Sequence, residues 1–152
     1  MEISVQQEDF NVQALYDSLC VANKTGAVAM FVGRVRQFNE EVGNGSFFLE
    51  HYPGMTERNI QSIVDEARAR WPLLAVKVVH RVGELSIDDQ IVFVGVASSH
   101  RAEAFSACDF IMDYLKSRAA FWKKETANGQ SNWVDAKTID EKSLERWHHS
   151  TN

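Results

Sequence analysis

Along this chain the spacing of apolar positions switches between helical and strand periods, and the switches mark the elements. Between Asn11 and Cys20, Val12, Leu15, Tyr16 and Leu19 fall on one helical face. Gly26 to Val35 (GAVAMFVGRV) is apolar and partly β-branched and predicts a buried strand. Ser46 to Tyr52 (SFFLEHY) reads as the returning strand, after a polar, glycine-rich loop at about residues 39–46 that is expected to be mobile. Pro53-Gly54 breaks the chain. Thr56 suits the cap of a helix striped by Ile60, Ile63, Val64, Ala67 and Trp71, and Pro72 stops that helix. Ala75 to Val82 alternates like a strand with one wet face, Asp88-Asp89 makes a turn, and Gln90 to Ala97 is a second apolar strand. Ser98 or Ser99 is the expected cap of a helix striped by Ala104, Phe105, Cys108, Ile111, Met112 and Leu115. A short strand, Asn132 to Ala136, and a polar C-terminal helix follow. Helices and strands are mixed, several strand links are hairpin-like, and no regular βαβ series occurs. The predicted class is α+β.

Composition narrows this. The 152 residues are 45% apolar and 24% charged, which suits one globular domain over 1–152 with a polar tail at about 148–152. Cys20 and Cys108 are too few for a disulfide framework or a Cys-rich zinc site, and both read as buried structural thiols on apolar helical faces. H-E-x-x-H, EF-hand, P-loop and G-x-G-x-x-G patterns are absent, so neither a metal nor a cofactor of its own is expected. No apolar run is long enough to span a bilayer, and MEISVQQEDF lacks the basic-then-apolar order of a secretory signal. A cytoplasmic protein without membrane contact is expected.

The net charge of −5 argues against a generic nucleic-acid binder. It is unevenly spread. Tyr114 to Lys124 holds Lys116, Arg118, Lys123 and Lys124 and no acid, which leaves 12 basic against 21 acidic residues elsewhere, a net of −9. Such a window suits a nucleophilic or proton-transferring lysine, an anion clamp, or simply a solvated helix end. His100 and Arg101 open a helix just after an apolar strand, a junction whose backbone N–H groups favour anions, although first-turn surface residues look the same. Ser98 and Ser99 lack a G-x-S-x-G elbow and read as caps rather than nucleophiles. Arg34 and Arg36 close the first long strand, and alternation puts both on one face. His51 and His80 read as structural, and His148-His149 alone make a poor metal site.

The ordered segments GAVAMFVGRVRQFNE, LEHYPGMTER, VDEARARWPL, HRVGEL, VGVASSHRAEAF, IMDYLKSRAAFWKKE and WVDAK resemble the large, catalytic subunit of molybdopterin synthase, the MoaE family. The resemblance runs from about Gly26 to Lys137 and extends towards Trp147. It implies an α/β-hammerhead fold with a mixed, mainly antiparallel sheet packed with helices. It implies sulfur transfer in molybdenum cofactor synthesis: cyclic pyranopterin monophosphate receives two sulfurs and becomes molybdopterin. The sulfur would come as a thiocarboxylate on the C-terminal Gly-Gly of a small ubiquitin-like partner, in a heterotetramer built on a dimer of large subunits. Motif by motif, the family's catalytic lysines fall on Lys116 and Lys123. Its substrate-binding positions fall on Arg36, His100, Arg101, Phe31 and Met112, and on Lys137, reaching from the neighbouring subunit. Two departures stand out. The family's Ala-Pro-Phe-Trp is Ala119-Ala120-Phe121-Trp122 here, and Lys137 replaces an arginine, losing its bidentate fork. The expectation from another class is a non-catalytic scaffold or anion-binding module that docks the small subunit.

Overall fold

In chain order the elements are β1 (Ile3–Gln6), α1 (Val12–Leu19), β2 (Ala27–Arg34), β3 (Ser46–His51), α2 (Met55–Arg70), β4 (Ala75–Arg81), β5 (Gly83–Ser86), β6 (Gln90–Ser98), α3 (Arg101–Arg118), β7 (Phe121–Ala127), β8 (Gln130–Val134) and α4 (Glu145–His148). The computed structural model describes residues 2–36, 46–119, 121–127, 130–134 and 145–148, with the backbone alone for 46–47, 122–127, 130–134, 146 and 148. Most of the expected loop at 39–46, the end of the polar tail and Ala120 lie outside the described residues.

Two four-stranded sheets form, ordered β1-β4-β6-β2 and β5-β3-β7-β8. Among the described residues every pairing is antiparallel except β1 with β4. The chain is α+β.

The helical stripes read from the sequence explain the layers. α2 turns Ile60, Ile63, Val64 and Ala67 inward, and α3 turns Ala104, Ala107, Phe110 and Ile111 inward, onto Val76, Val78, Val94 and Val96 of the first sheet. α1 brings Leu19 onto the opposite face, against Val79, Phe93 and Ala97. This corrects one expectation. β4 has no wet face: Val78 and Val79 are neighbours that point to opposite sides, and both are buried. Alternation reveals one core face, but a helix from elsewhere in the chain covers the other.

The helix starts also differ from expectation. Asn11 caps α1, its side chain accepting from Ala14 N at 2.9 Å. Gly54, not Thr56, is the N-cap of α2. Its φ of +88° is a conformation that glycine adopts without penalty, and its N–H donates to Glu57 Oε1 at 3.0 Å. Thr56 sits buried in the first turn and accepts from Tyr52 N at 3.1 Å. α3 is capped by His100, with no side-chain bond to its first turn. Ser98 instead ends β6, its hydroxyl donating to Pro72 O at 2.9 Å.

The second sheet holds what the sequence reading divided differently. β5 alternates buried Gly83 and Leu85 with exposed Glu84 and Ser86, a strand too short to stand out in the sequence. β7 begins three residues after α3 ends, so the basic window is not one helix end. Lys116 and Arg118 belong to a helix, Lys123 and Lys124 to a strand. The expected strand at Asn132–Ala136 is found at Gln130–Val134, and the C-terminal helix is a single turn. Val35, Leu49, Val82 and Leu85 form a small core between the sheets, with Phe121 against it. His80 of β4 stacks on Phe121 at 4.0 Å, in keeping with a structural histidine.

The two cysteines part company. Cys108 is buried, and burial first, then the neighbouring Asp109 charge, pushes its thiol up to about 12. Cys20 is exposed, contrary to expectation, because it is the C-cap of α1 and already outside the helical stripe. A thiol reagent at neutral pH is therefore expected to modify Cys20 quickly and Cys108 only on unfolding. Two fast thiols in the native protein would contradict this assignment.

Candidate active site

α3 carries most of the candidate residues, and its geometry decides which of them can meet. Helical phase puts Arg101, Phe105, Asp109, Met112 and Lys116 along one side. Arg101, Phe105, Asp109 and Lys116 are exposed, and Met112 is half-buried against the core. Ile111 and Leu115 face the sheet. Lys116 thus rises from a side that the core does not need, on a helix that the core holds rigidly. Its end is tied to α2: Arg118 donates to Glu66 Oε2 at 2.6 Å, and Asn59 donates to Arg118 O at 3.3 Å.

Lys123 is reached through the second sheet. In the β3–β7 register it lies opposite Leu49, whose side chain is buried, whereas Lys124 lies opposite Phe48, whose side chain is exposed. In the backbone register the two positions therefore face unlike partners. Leu49 packs with Val35, the residue before Arg36. Val35 is pinned on both sides, its N–H donating to Asp89 O at 2.8 Å and its carbonyl accepting from Asp88 N at 2.7 Å. Arg36 therefore leaves a fixed point beside the core that backs Lys123, and its side chain is exposed. Arg34 is committed elsewhere. It pairs with Asp88 at 3.5 Å, and the register shift between Gly33 and Arg34 breaks the simple alternation that would align it with Arg36. Phe31 sits 41% exposed on β2, an edge strand of the first sheet, and shares its strand face with Ala29, which packs into the α2/α3 core.

His100 and Arg101 are exposed at the other end of α3. Fifteen residues separate Arg101 from Lys116, about 22 Å along a helix. Lys116 thus stands near the C-terminal end of α3 and His100 and Arg101 at its start, while Arg36 and the Lys123 position are linked through Val35 and Leu49. Lys137 lies outside the described residues. A hollow of about 440 Å³ lined by Tyr16, Cys20, Val21, Thr25 and Gly26 has no cation in its lining and does not suit an anion. Among the described residues no group of three or more His, Cys, Asp or Glu is placed to hold a metal, and no helix is long and apolar enough to cross a membrane. The sequence reading passed over Asp113, one turn before Lys116, whose Oδ2 accepts from the Trp147 indole at 2.6 Å. The signal for it was a lone tryptophan in an otherwise polar tail.

The family model described as "MoaE protein" matches residues 5–118, three-quarters of the chain. The chain belongs to the MoaE family. Relatives within it include the "Molybdopterin synthase catalytic subunit" of Vibrio cholerae serotype O1, 50% identical over 145 residues, covering 95% of this chain and 97% of that protein. The protein of the same name from Escherichia coli K12 is 49% identical over 146 residues, covering 96% and 97%. Among solved structures, the "Molybdopterin biosynthesis MoaE protein" from Burkholderia ambifaria superposes with a TM-score of 0.82 at 47% identity, covering 97% of this chain and 98% of that one. "Molybdopterin Synthase" from Staphylococcus aureus gives the same TM-score at 29% identity, covering 89% and 98%. The MoaE fold is thus kept at less than a third identity, and the family match includes Arg36, His100, Arg101 and Lys116.

Proposed function

We propose that this chain, as a single domain, performs the sulfur transfer its relatives are named for, as the catalytic subunit of a molybdopterin synthase. Its substrate is cyclic pyranopterin monophosphate. Its sulfur donor is the C-terminal thiocarboxylate of a small ubiquitin-like partner, and its location is the cytoplasm. The observation that carries this reading is half identity, over nearly the full length, to proteins named as that subunit.

The residues supply the chemistry such a reaction needs. Arg36, His100 and Arg101 bind the anionic phosphate and pterin, His100 and Arg101 at a helix start that no side chain caps. Lys116 holds the thiocarboxylate and stabilises the oxyanion that develops during transfer. Lys123 assists opening of the cyclic phosphate, Phe31 and Met112 form apolar walls, and Lys137 adds a cation from the neighbouring subunit. The 22 Å between Arg101 and Lys116 is too wide for one small pterin, which supports a site shared by two copies of the chain. A two-fold axis that sets one α3 antiparallel to its mate brings Arg101 of one copy towards Lys116 of the other. Cys20 caps α1, the helix that covers the sheet face opposite α3, in keeping with sulfur that arrives on a partner.

The test is reconstitution. The purified chain is mixed with thiocarboxylated small subunit and cyclic pyranopterin monophosphate, and the dithiolene product is assayed. Product formation is expected. Partner binding without product would favour a scaffold, and neither binding nor product would reject the reading.

A further inference from the structure

The end of β2 is held by a turn from a distant part of the chain. Ser86, Ile87, Asp88 and Asp89 join β5 to β6, and the Asp89 N–H closes this turn on Ser86 O at 3.1 Å. The Asp89 side chain closes it a second time, its Oδ2 accepting from Ser86 N at 2.9 Å. Asp88 holds a φ of +75°, a left-handed conformation that a residue with a side chain keeps only where its surroundings enforce it. Arg34 supplies part of that enforcement. Its guanidinium donates to Asp88 O from Nε and from Nη2, each at 3.3 Å, and pairs with Oδ1 at 3.5 Å.

What the turn grips is Val35. The Val35 N–H donates to Asp89 O at 2.8 Å, and the Asp88 N–H donates to Val35 O at 2.7 Å. The Val35 side chain shares a small core with Leu85, the residue before the turn. The Val35 carbonyl belongs to the planar peptide unit that also holds the nitrogen and Cα of Arg36. Fixing that carbonyl therefore fixes where Arg36 starts. The strand ladder alone does not reach so far, because its register shifts between Gly33 and Arg34 and β2 ends at Arg34. The turn takes over where the strand stops.

We propose that Asp89 is a positioning residue for Arg36: by closing the Ser86–Asp89 turn it holds the peptide from which Arg36 reaches the anionic phosphate of the substrate. This rests on the role given to Arg36 above. Arg34 works from the other side, as a brace on Asp88.

The expected change is opposite in sign to a simple charge effect. Removing a carboxylate near an anion site leaves the site more positive, which would lower KM. Loss of positioning raises it. At saturating thiocarboxylated small subunit, Asp89→Ala is expected to raise KM for cyclic pyranopterin monophosphate about three- to tenfold and to leave kcat within about twofold. Asp89→Asn, which keeps an acceptor oxygen for Ser86 N, is expected to recover most of the loss. In an Arg36→Ala background, Asp89→Ala is expected to add less than about twofold, because the two act along one path. A lowered or unchanged KM in Asp89→Ala, no recovery by asparagine, or an undiminished effect without Arg36 would overturn the proposal. Arg36→Ala alone separates two failures. If its KM equals that of the parent, the role of Arg36 falls and this proposal with it. If its KM rises while Asp89→Ala matches the parent, this proposal alone falls. The contact is also read without substrate. Hydrogen exchange of the Val35 amide is expected to quicken in Asp89→Ala and to stay slow in Asp89→Asn, and equal protection in both variants and the parent would reject it. Should Asp89→Ala fail to fold, Arg34→Ala gives the same readings from an exposed position, with a KM rise of about twofold or more expected and an unchanged KM overturning the proposal.

Discussion

Replacing Lys116 by alanine is expected to cut kcat for dithiolene formation by about 10²–10³, the loss that follows removal of one donor to a developing oxyanion. The fold should survive, because Lys116 lies on the exposed side of α3 while Ile111, Tyr114 and Leu115 carry the packing. Binding of the small subunit should also survive, since only a single side chain is removed. The comparison that gives this result meaning is Lys124→Ala. Lys124 lies opposite exposed Phe48, whereas Lys123 lies opposite buried Leu49. Lys123→Ala is therefore expected to approach the Lys116 loss and Lys124→Ala to stay near the parent. Near-normal turnover by Lys116→Ala would remove it from the site. Equal losses at 123 and 124 would mean that the window acts only through its summed charge.

The largest loss of stability is expected at Phe110. Its side chain is fully buried, and its ring meets Trp71 at 5.5 Å, Tyr114 at 4.6 Å and Trp147 at 5.4 Å. Alanine would remove a large apolar side chain and leave a cavity that two helices and the C-terminal turn cannot all close. A cost of about 3–5 kcal/mol is expected from denaturant unfolding. The aromatic pairs add to the burial term, about 0.5–1.5 kcal/mol each in favourable geometries, although such contributions do not sum simply. Phe105→Ala is the control. It is on the same helix but 66% exposed, and is expected to change stability by less than about 0.5 kcal/mol. Similar costs for the two variants would contradict the packing described for α3.

Much of this fold was legible in the sequence because it is written in periods. The stripes Ile60-Ile63-Val64-Ala67 and Ala104-Cys108-Ile111-Met112-Leu115 face the core as their spacing implies, whereas Phe105, read into the second stripe, is exposed. What failed to read were features set by distant residues. Val79 is buried by α1, some sixty positions earlier, so alternation within β4 gave one wet face too many. Thr56 and Ser98 have the chemistry of caps, but Tyr52 N and Pro72 O hold their side chains instead. Cys20 looked buried because the helical face was extended one residue past its end. The candidate residues were named from ordered motifs, which do not say how far apart they stand. Here the rise of a single helix supplied one such distance: it parts Arg101 from Lys116 by about 22 Å, which supports the proposed site shared with a neighbouring copy.

The parallel pairing of β1 with β4 has a consequence for how the chain folds. Ile3 is partnered with Val78, so the link closes a loop of about 75 residues, while β4 and β6 meet through a short connection and α3 follows directly. Closing a long loop costs more chain entropy than closing a short one, and that entropy is lost before the contacts repay it. β4, β6 and α3 can therefore assemble first as a local nucleus, with the N-terminal strand docking onto a surface already made. On a ribosome the order is reversed, for β1 emerges before β4 and must wait until some seventy further residues are out before the strand it pairs with exists.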